Sequence, residues 1–306
     1  MDAFFTDHFV LPLPPGHRFP MEKYRMLREQ VSHLPGLILK EAPAASDDML
    51  LLAHSDAYVD KVTSGTLTPA EVREIGFPWS PGMVERSRRS VGATLAACAS
   101  ALSDGVGVNL AGGTHHAYRD KGSGYCVFND AAIAARWLQQ ARGSSFRVAI
   151  IDLDVHQGNG TAAIIGNDPA ILTLSMHGEK NFPFRKEASQ IDIGLPDGCR
   201  DDEYLDQLHR ALRRVHLSFA PDFVVYLAGA DAHEGDRLGR LKLTAQGMLE
   251  RDRAVLDFAR ALGVPVAIAM AGGYGHVVQR TVDVHVQTVR AALESCNASA
   301  SLRATG

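Results

Sequence analysis

The sequence predicts a single α/β domain built on a mostly parallel sheet with helices on both faces. Two observations carry this. Short apolar runs rich in Val and Ile alternate with longer amphipathic stretches along the 306-residue chain. A strand covered on both faces reads as such a run, not as an alternating pattern. Strands separated by helices require crossovers, which are right-handed and place helices over both sheet faces.

In chain order, the strand candidates are 106–110, 148–153, 171–175, 223–227 and 264–270. The helix candidates are 83–102, 130–140, 202–217, 245–262 and 277–293. Residues 11–20 hold Pro12, Pro14, Pro15, Gly16 and Pro20 and predict a surface loop. No linker splits the pattern. The reading is one domain over 1–295, followed by a small, polar, frayed tail over 296–306.

Composition narrows the function. Hydrophobic residues make up 46% of the chain, enough for a large core, and the net charge is -4 with both signs interspersed. Without a basic stripe, no nucleic-acid partner is expected. No stretch approaches the ~20 apolar residues of a membrane span, so no membrane partner is expected either. The N-terminus lacks a basic start and a long apolar core and does not read as a signal peptide. Cys98, Cys126, Cys199 and Cys296 are scattered, which suits a reducing, cytoplasmic setting. The oligomeric state is not legible.

Open parallel sheets bind ligands beyond the carboxyl ends of their strands. The residues there are unusual. The first strand is followed by Gly112-Gly113-Thr114-His115-His116. The second ends in Asp152 and continues Asp154-Val155-His156-Gln157-Gly158-Asn159. The third holds Ser175 and leads to Met176, the fourth to Asp231 and the fifth to Gly272-Gly273-Tyr274. Any one of these could be a turn residue or a packed core histidine. Five strand ends offering functional groups to one rim argue for a site.

Asp154 and His156 are two apart in what reads as an extended segment, so their side chains share a side. With Asp231 they make two carboxylates and one imidazole, three ligands with a position left open, as catalytic zinc requires. A two-metal site needs a bridging carboxylate. Two residues past His156 stands Gly158, which favours one ion per chain. His116 is assigned as general base and acid, with His115 as its electrostatic partner. Asp152 suits one ring and Asn159 the other. An asparagine does not stabilise an imidazolium, so its histidine should stay neutral. The Tyr274 phenol is placed to donate to an oxyanion.

Together, Gly112–His116, Gly124-Tyr125-Cys126-Val127-Phe128-Asn129-Asp130, Asp152–Gly160, Gly229-Ala230-Asp231 and Gly272-Gly273-Tyr274 resemble the zinc-dependent histone deacetylase family, nearest its class IV branch and bacterial relatives. The resemblance implies the three-layer arginase/deacetylase fold, with a sheet of about eight strands. It implies hydrolysis of N-ε-acyl-lysine on proteins or peptides, by a deacetylase or, as the class IV likeness also allows, a longer-chain deacylase. It also implies that Gly124, Tyr125, Phe182 and Leu238, with Gly272 and Gly273, contact the substrate in a tube. A structural potassium ion is implied at the main-chain oxygens of Asp152, Asp154, His156 and Met176 and the Ser175 hydroxyl. Arg25 resembles an arginine lining an exit channel for the carboxylate product. The segment from Gly76 to Ser80 offers no Asp where several members clamp the peptide backbone, leaving Pro78 and Trp79 either to shape the rim or simply to pack.

Two other readings remain. A small acylated amine, such as an acetylpolyamine, would need acidic residues at the rim, for which Glu179 and Glu234 are candidates. A metal-binding module without activity would have no evident use for His115, His116 and Tyr274 together.

Overall fold

The computed structural model describes residues 1–305, with side chains up to residue 298. In chain order the elements are β1 (Asp2–Phe5), α1 (Glu22–Val31), β2 (Ile38–Glu41), α2 (Asp47–Leu50), α3 (Asp56–Ser64), α4 (Pro69–Ile75), α5 (Pro81–Asp104), β3 (Val106–Asn109) and α6 (Asp130–Arg142). There follow β4 (Val148–Asp152), α7 (Asn159–Ile165), β5 (Ile171–Gly178), β6 (Ile191–Leu195), α8 (Asp201–Ser218), β7 (Phe223–Leu227), α9 (Ala245–Leu262), β8 (Val266–Ala269) and α10 (Val278–Thr305).

The eight strands form one sheet in the order β2-β1-β3-β8-β7-β4-β5-β6. Every neighbouring pair is parallel. Successive strand residues alternate between two apolar layers. Phe223, Val225 and Leu227 of β7 join the layer under α5 and α6, whereas Val224 and Tyr226 join the layer under α8, α9 and α10. The same alternation runs through β4 and β8. The result is a helix–sheet–helix sandwich in which the four central strands, β3, β8, β7 and β4, are buried throughout.

The central strands fall where the sequence placed them, because burial on both faces demands continuous apolar runs. Three strands have no counterpart in the sequence reading. β2 lies at one edge and is largely exposed, β6 lies at the other with an Asp and a Gly inside it, and β1 is four residues at the extreme N-terminus. α10 continues past residue 293, where the apolar pattern was read to stop. Cys296, placed by the sequence in the frayed tail, packs against the core. Residues 11–20 form no helix or strand. Among the described residues no disulfide forms, and no helix is long and apolar enough to cross a membrane.

Candidate active site

Four adjacent central strands deliver the site. The turns after β3, β4, β7 and β8 meet above the carboxyl edge of the sheet, bringing His115, His116, Asp154, His156, Asp231 and Tyr274 together. Glycine makes the approach possible. A Cβ on Gly272 would sit 2.0 Å from Asp231 Oδ2, and one on Gly229 would sit 2.5 Å from Asp154 Oδ2.

The histidine turn is held by groups the sequence reading had not assigned a role. Asp130, at the start of α6, accepts from the Gly113 and Thr114 amides at 2.9 and 2.7 Å. Asn129 caps α6 through the Ala132 amide and donates to the Ala117 carbonyl at 3.0 Å. One carboxylate and one amide thus tie the turn after β3 to a helix start, where negative charge is favourable.

The two histidines have different partners. His115 Nδ1 lies 2.6 Å from Asp152 Oδ2, and His116 Nδ1 lies 2.6 Å from Asn159 Oδ1. Burial opposes charge on His115, but Asp152 and Asp154 outweigh it and raise the imidazole to about 9. Burial and the neighbouring imidazoles His115 and His156 hold His116 well below the usual range. The pairing predicted from Asp152 and Asn159 is therefore present, with the neutral ring on the asparagine.

Asp154, His156 and Asp231 are buried, with one ligand atom from each lying within 4.8 Å of the others. His156 Nδ1 lies 3.0 Å from Asp154 Oδ1 and 3.2 Å from Asp231 Oδ2. The segment carrying Asp154 and His156 is a bend beyond β4, not the extended stretch expected, and turn geometry rather than strand alternation brings the two side chains together. Backbone amides orient the carboxylates. Gly272 donates to Asp154 Oδ2 at 2.8 Å and Val155 to Asp231 Oδ1 at 2.9 Å. Asp231 Oδ2 is left buried without a hydrogen bond.

These residues fit a divalent cation. Two carboxylates and an imidazole converge, and one buried carboxylate oxygen, with only the His156 ring beside it, accepts no hydrogen bond. The electrostatics agree. Burial and Asp154 push the Asp231 carboxyl up to about 7. Burial resists charge on His156, yet Asp154 and Asp231 raise it to about 10. A divalent cation at their centre would take the place of the proton that the two carboxylates otherwise hold on His156, and would neutralise the Asp154–Asp231 repulsion.

A cavity of about 470 Å³ leads from the surface to His116, His156 and Tyr274. Gly124, Tyr125, Phe182 and Leu238 all line it, joined by Gly76 and by Ile75 and Ser123, to which the sequence assigned no role. The Phe182 ring stands edge-on to His116 at 4.9 Å, and the Tyr125 ring stacks on Phe77 at 5.2 Å. Tyr274 is 8% exposed, and burial raises its phenol well above the ordinary value. Asp236, also missed, links the wall to this tyrosine. It accepts from the amides of Tyr274 at 2.6 Å and Leu238 at 2.7 Å. Gly272 and Gly273 lie in the turn below, Gly273 with φ +150°.

Several expectations need correction. Arg25 faces outward and pairs with Glu29 at 2.8 Å. The cation on the inner face of α1 is Lys23, which is 2% exposed and donates to the Ala271 carbonyl at 3.2 Å. Of the two alternatives for Trp79, packing holds: it donates to the Val62 carbonyl at 2.8 Å and packs on Gly65, and neither it nor Pro78 lines the cavity. Glu179 and Glu234 are also absent from the lining, whose one acid, Glu74, pairs with Lys121 at 2.7 Å. Ser175 pairs in register with Asp152, and its hydroxyl lies 3.0 Å from His177 Nδ1, with Met176 buried beside it.

The sequence pattern of the histone deacetylase domain matches residues 17–289. The chain belongs to the histone deacetylase family. It is 44% identical to an uncharacterized protein of Picosynechococcus sp. over 93% of this chain and 95% of that one. To Histone deacetylase 2 of Arabidopsis thaliana it is 35% identical, over 75% of this chain and 62% of the relative. The solved HD domain of HDA15 superposes with a TM-score of 0.80 at 21% identity, covering 97% of this chain and 94% of that one. This deacetylase-family chain is therefore an amidohydrolase on the fold its motifs predicted.

Proposed function

We propose that this enzyme removes acyl groups from N-ε-acyl-lysine in proteins or peptides, with one zinc ion per chain. The observation that supports it most is the neutral His116, partnered by Asn159, at the floor of an aromatic-walled cavity directly beside Asp154, His156 and Asp231. An apolar tube with reactive groups at its closed end suits a slender lysine stem carrying its amide inward.

A divalent ion held by Asp154, His156 and Asp231 supplies Lewis acidity, polarising the amide carbonyl and acidifying water. The side chains account for the proton movements. His116 donates its Nδ1 proton to Asn159, so its Nε2 lone pair accepts a proton from the attacking water. The same ring then returns a proton to the departing lysine amine. His115, kept cationic by Asp152, places positive charge next to the developing negative charge. The Tyr274 phenol, held protonated by burial, donates to the carbonyl oxygen as it becomes anionic. A structural potassium ion at Asp152, Asp154, His156, Ser175 and Met176 belongs to the same reading, as does a cytoplasmic setting.

Beside His115, His116 and Tyr274 lies a further cavity of about 50 Å³, which suits a short acyl group such as acetyl. A small acylated amine is the second reading. It would need unpaired acids at the rim to hold a second cation, and the lining offers only Glu74, already paired with Lys121.

The test is hydrolysis of acetyl-, octanoyl- and myristoyl-lysine peptides and of acetylputrescine, each with and without a chelator. Acetyl-lysine peptides are expected to be cleaved fastest, and activity to vanish on chelation and return with zinc. Asp231→Ala should lose its zinc, leaving two ligands. A preference for acetylputrescine would overturn the substrate, and full activity without metal would overturn the mechanism.

A further inference from the structure

Directly beneath the site, on the inner face of α9, lies the largest fully buried side chain of the core, Arg251. Its guanidinium is 0% exposed. Nη1 donates to two main-chain carbonyls at once, Gly229 at 2.5 Å and Leu153 at 3.3 Å. Nε and Nη2 donate to Asp252 Oδ1 at 2.9 and 2.7 Å. Asp252 is fixed in turn by the Tyr226 hydroxyl at 2.6 Å and the Thr288 hydroxyl at 2.5 Å.

The two carbonyls matter because of their places in the chain. Leu153 immediately precedes Asp154, and Gly229 stands two residues before Asp231. One nitrogen therefore joins the loop after β4 to the loop after β7, the two loops that carry the carboxylates of the candidate metal site. We infer that Arg251 is a positioning residue that sets the spacing of Asp154 and Asp231 and so the grip of this site on its divalent ion. The inference rests on the metal reading given above.

The physical need is plain. Asp154 and Asp231 are both buried and repel each other when no cation lies between them. The Val155 amide and the His156 ring tie the two loops at the site, and Arg251 adds a second tie from below. Arg251 holds them through backbone oxygens, which keeps the carboxylates free for the ion. Asp252 neutralises the arginine, so the clamp adds no net charge to the buried layer. Tyr226 lies on β7, the strand that leads to Asp231, and Thr288 lies on α10. The clamp is thus anchored to two further elements and not to α9 alone. A lysine could not replace it, because only a planar guanidinium reaches two carbonyls and a carboxylate together.

Groups that orient metal ligands typically contribute 10- to 100-fold to metal affinity. The test compares the full-length wild type with Arg251→Lys and with the charge-balanced double variant Arg251→Met/Asp252→Asn. Leu208→Ala is the control, a cavity variant in the same apolar layer on α8. Folding is checked by circular dichroism. Zinc affinity is measured by competition with a chromophoric chelator, and ligand geometry by the absorption spectrum of the cobalt-loaded protein.

Both Arg251 variants should bind zinc about 10- to 100-fold more weakly, with an altered cobalt spectrum, while Leu208→Ala binds as wild type does. Folded Arg251 variants with wild-type zinc affinity would overturn the inference, as would a loss no larger than that of Leu208→Ala. If neither variant folds, Arg251 is a core stabiliser and the inference also falls. Failure of the wild type itself to take up zinc or cobalt would instead sink the underlying metal reading, so the two failures are distinguishable.

Discussion

Asn159 and His116 form the hydrogen bond that decides which histidine is the base. Asn159 Nδ2 donates to the Tyr118 hydroxyl at 2.9 Å, which turns Oδ1 toward His116. His116 Nδ1 must then carry the proton, and Nε2 is free to accept one. An aspartate at this position would favour the imidazolium instead. Asn159→Asp should therefore move the acidic limb of the kcat/KM profile upward by at least about one pH unit, because the base must be neutral to act. Unchanged limbs in the pH–rate profile would remove His116 from that role.

Tyr274 reaches the site from the turn after β8, its amide fixed by Asp236. Its phenol is the one protein donor proposed for the developing oxyanion. Tyr274→Phe should lower kcat by ~10²–10³, the usual scale for one such donor, with zinc content unchanged. Steady-state kinetics with metal analysis checks this, and near-normal turnover would exclude the tyrosine from the chemistry.

How much of this was legible depended on where a residue acts. His115, His116, Asp154, His156, Asp231 and Tyr274 each follow a strand so apolar that its end is visible in sequence. Asp130, Asp236, Lys23 and Arg251 act by bonding main-chain amides or carbonyls of distant segments, and sequence does not encode that register. The reading of Arg25 failed for a related reason. Positions two apart on a helix lie about 200° apart, so Lys23 faces inward where Arg25 faces outward. β1 and β2, at one side of the sheet, and β6, at its other edge, escaped notice because short or partly solvated strands need not be apolar.

Two residues beyond the cavity wall, the chain carries an exposed aromatic. Phe182 lines the tube, and two residues later Phe184 is 88% exposed. The loop between is not slack. Lys186 Nζ binds the Asn181 and Pro183 carbonyls at 2.7 and 2.6 Å, and Asn181 Nδ2 binds the Leu238 carbonyl at 2.7 Å. An exposed ring on a tethered loop offers contact area while the backbone that carries it is already ordered. Phe184→Ala should raise KM for acetyl-lysine peptides several-fold while leaving kcat, and the kinetics of free N-ε-acetyl-lysine, unchanged. An equal change for peptide and free amino acid would show that the ring does not touch flanking residues.

Acid should destabilise the fold through a histidine outside the site. His54 is 1% exposed, and its Nε2 accepts from the Asn129 amide at 2.8 Å, behind the turn that carries His115 and His116. Burial lowers its imidazole from 6.5 to about 4. Between those values the unfolded chain binds a proton that the native state refuses. Stability contributed by neutral His54 is therefore complete above 6.5 and lost as pH falls toward 4. The full loss is on the order of 3 kcal/mol. A glutamine keeps an acceptor for the Asn129 amide and does not titrate. Urea denaturation at pH 7 and pH 5 should show wild type losing more stability than His54→Gln across that step. Parallel losses in the two proteins would mean that His54 is not what acid attacks.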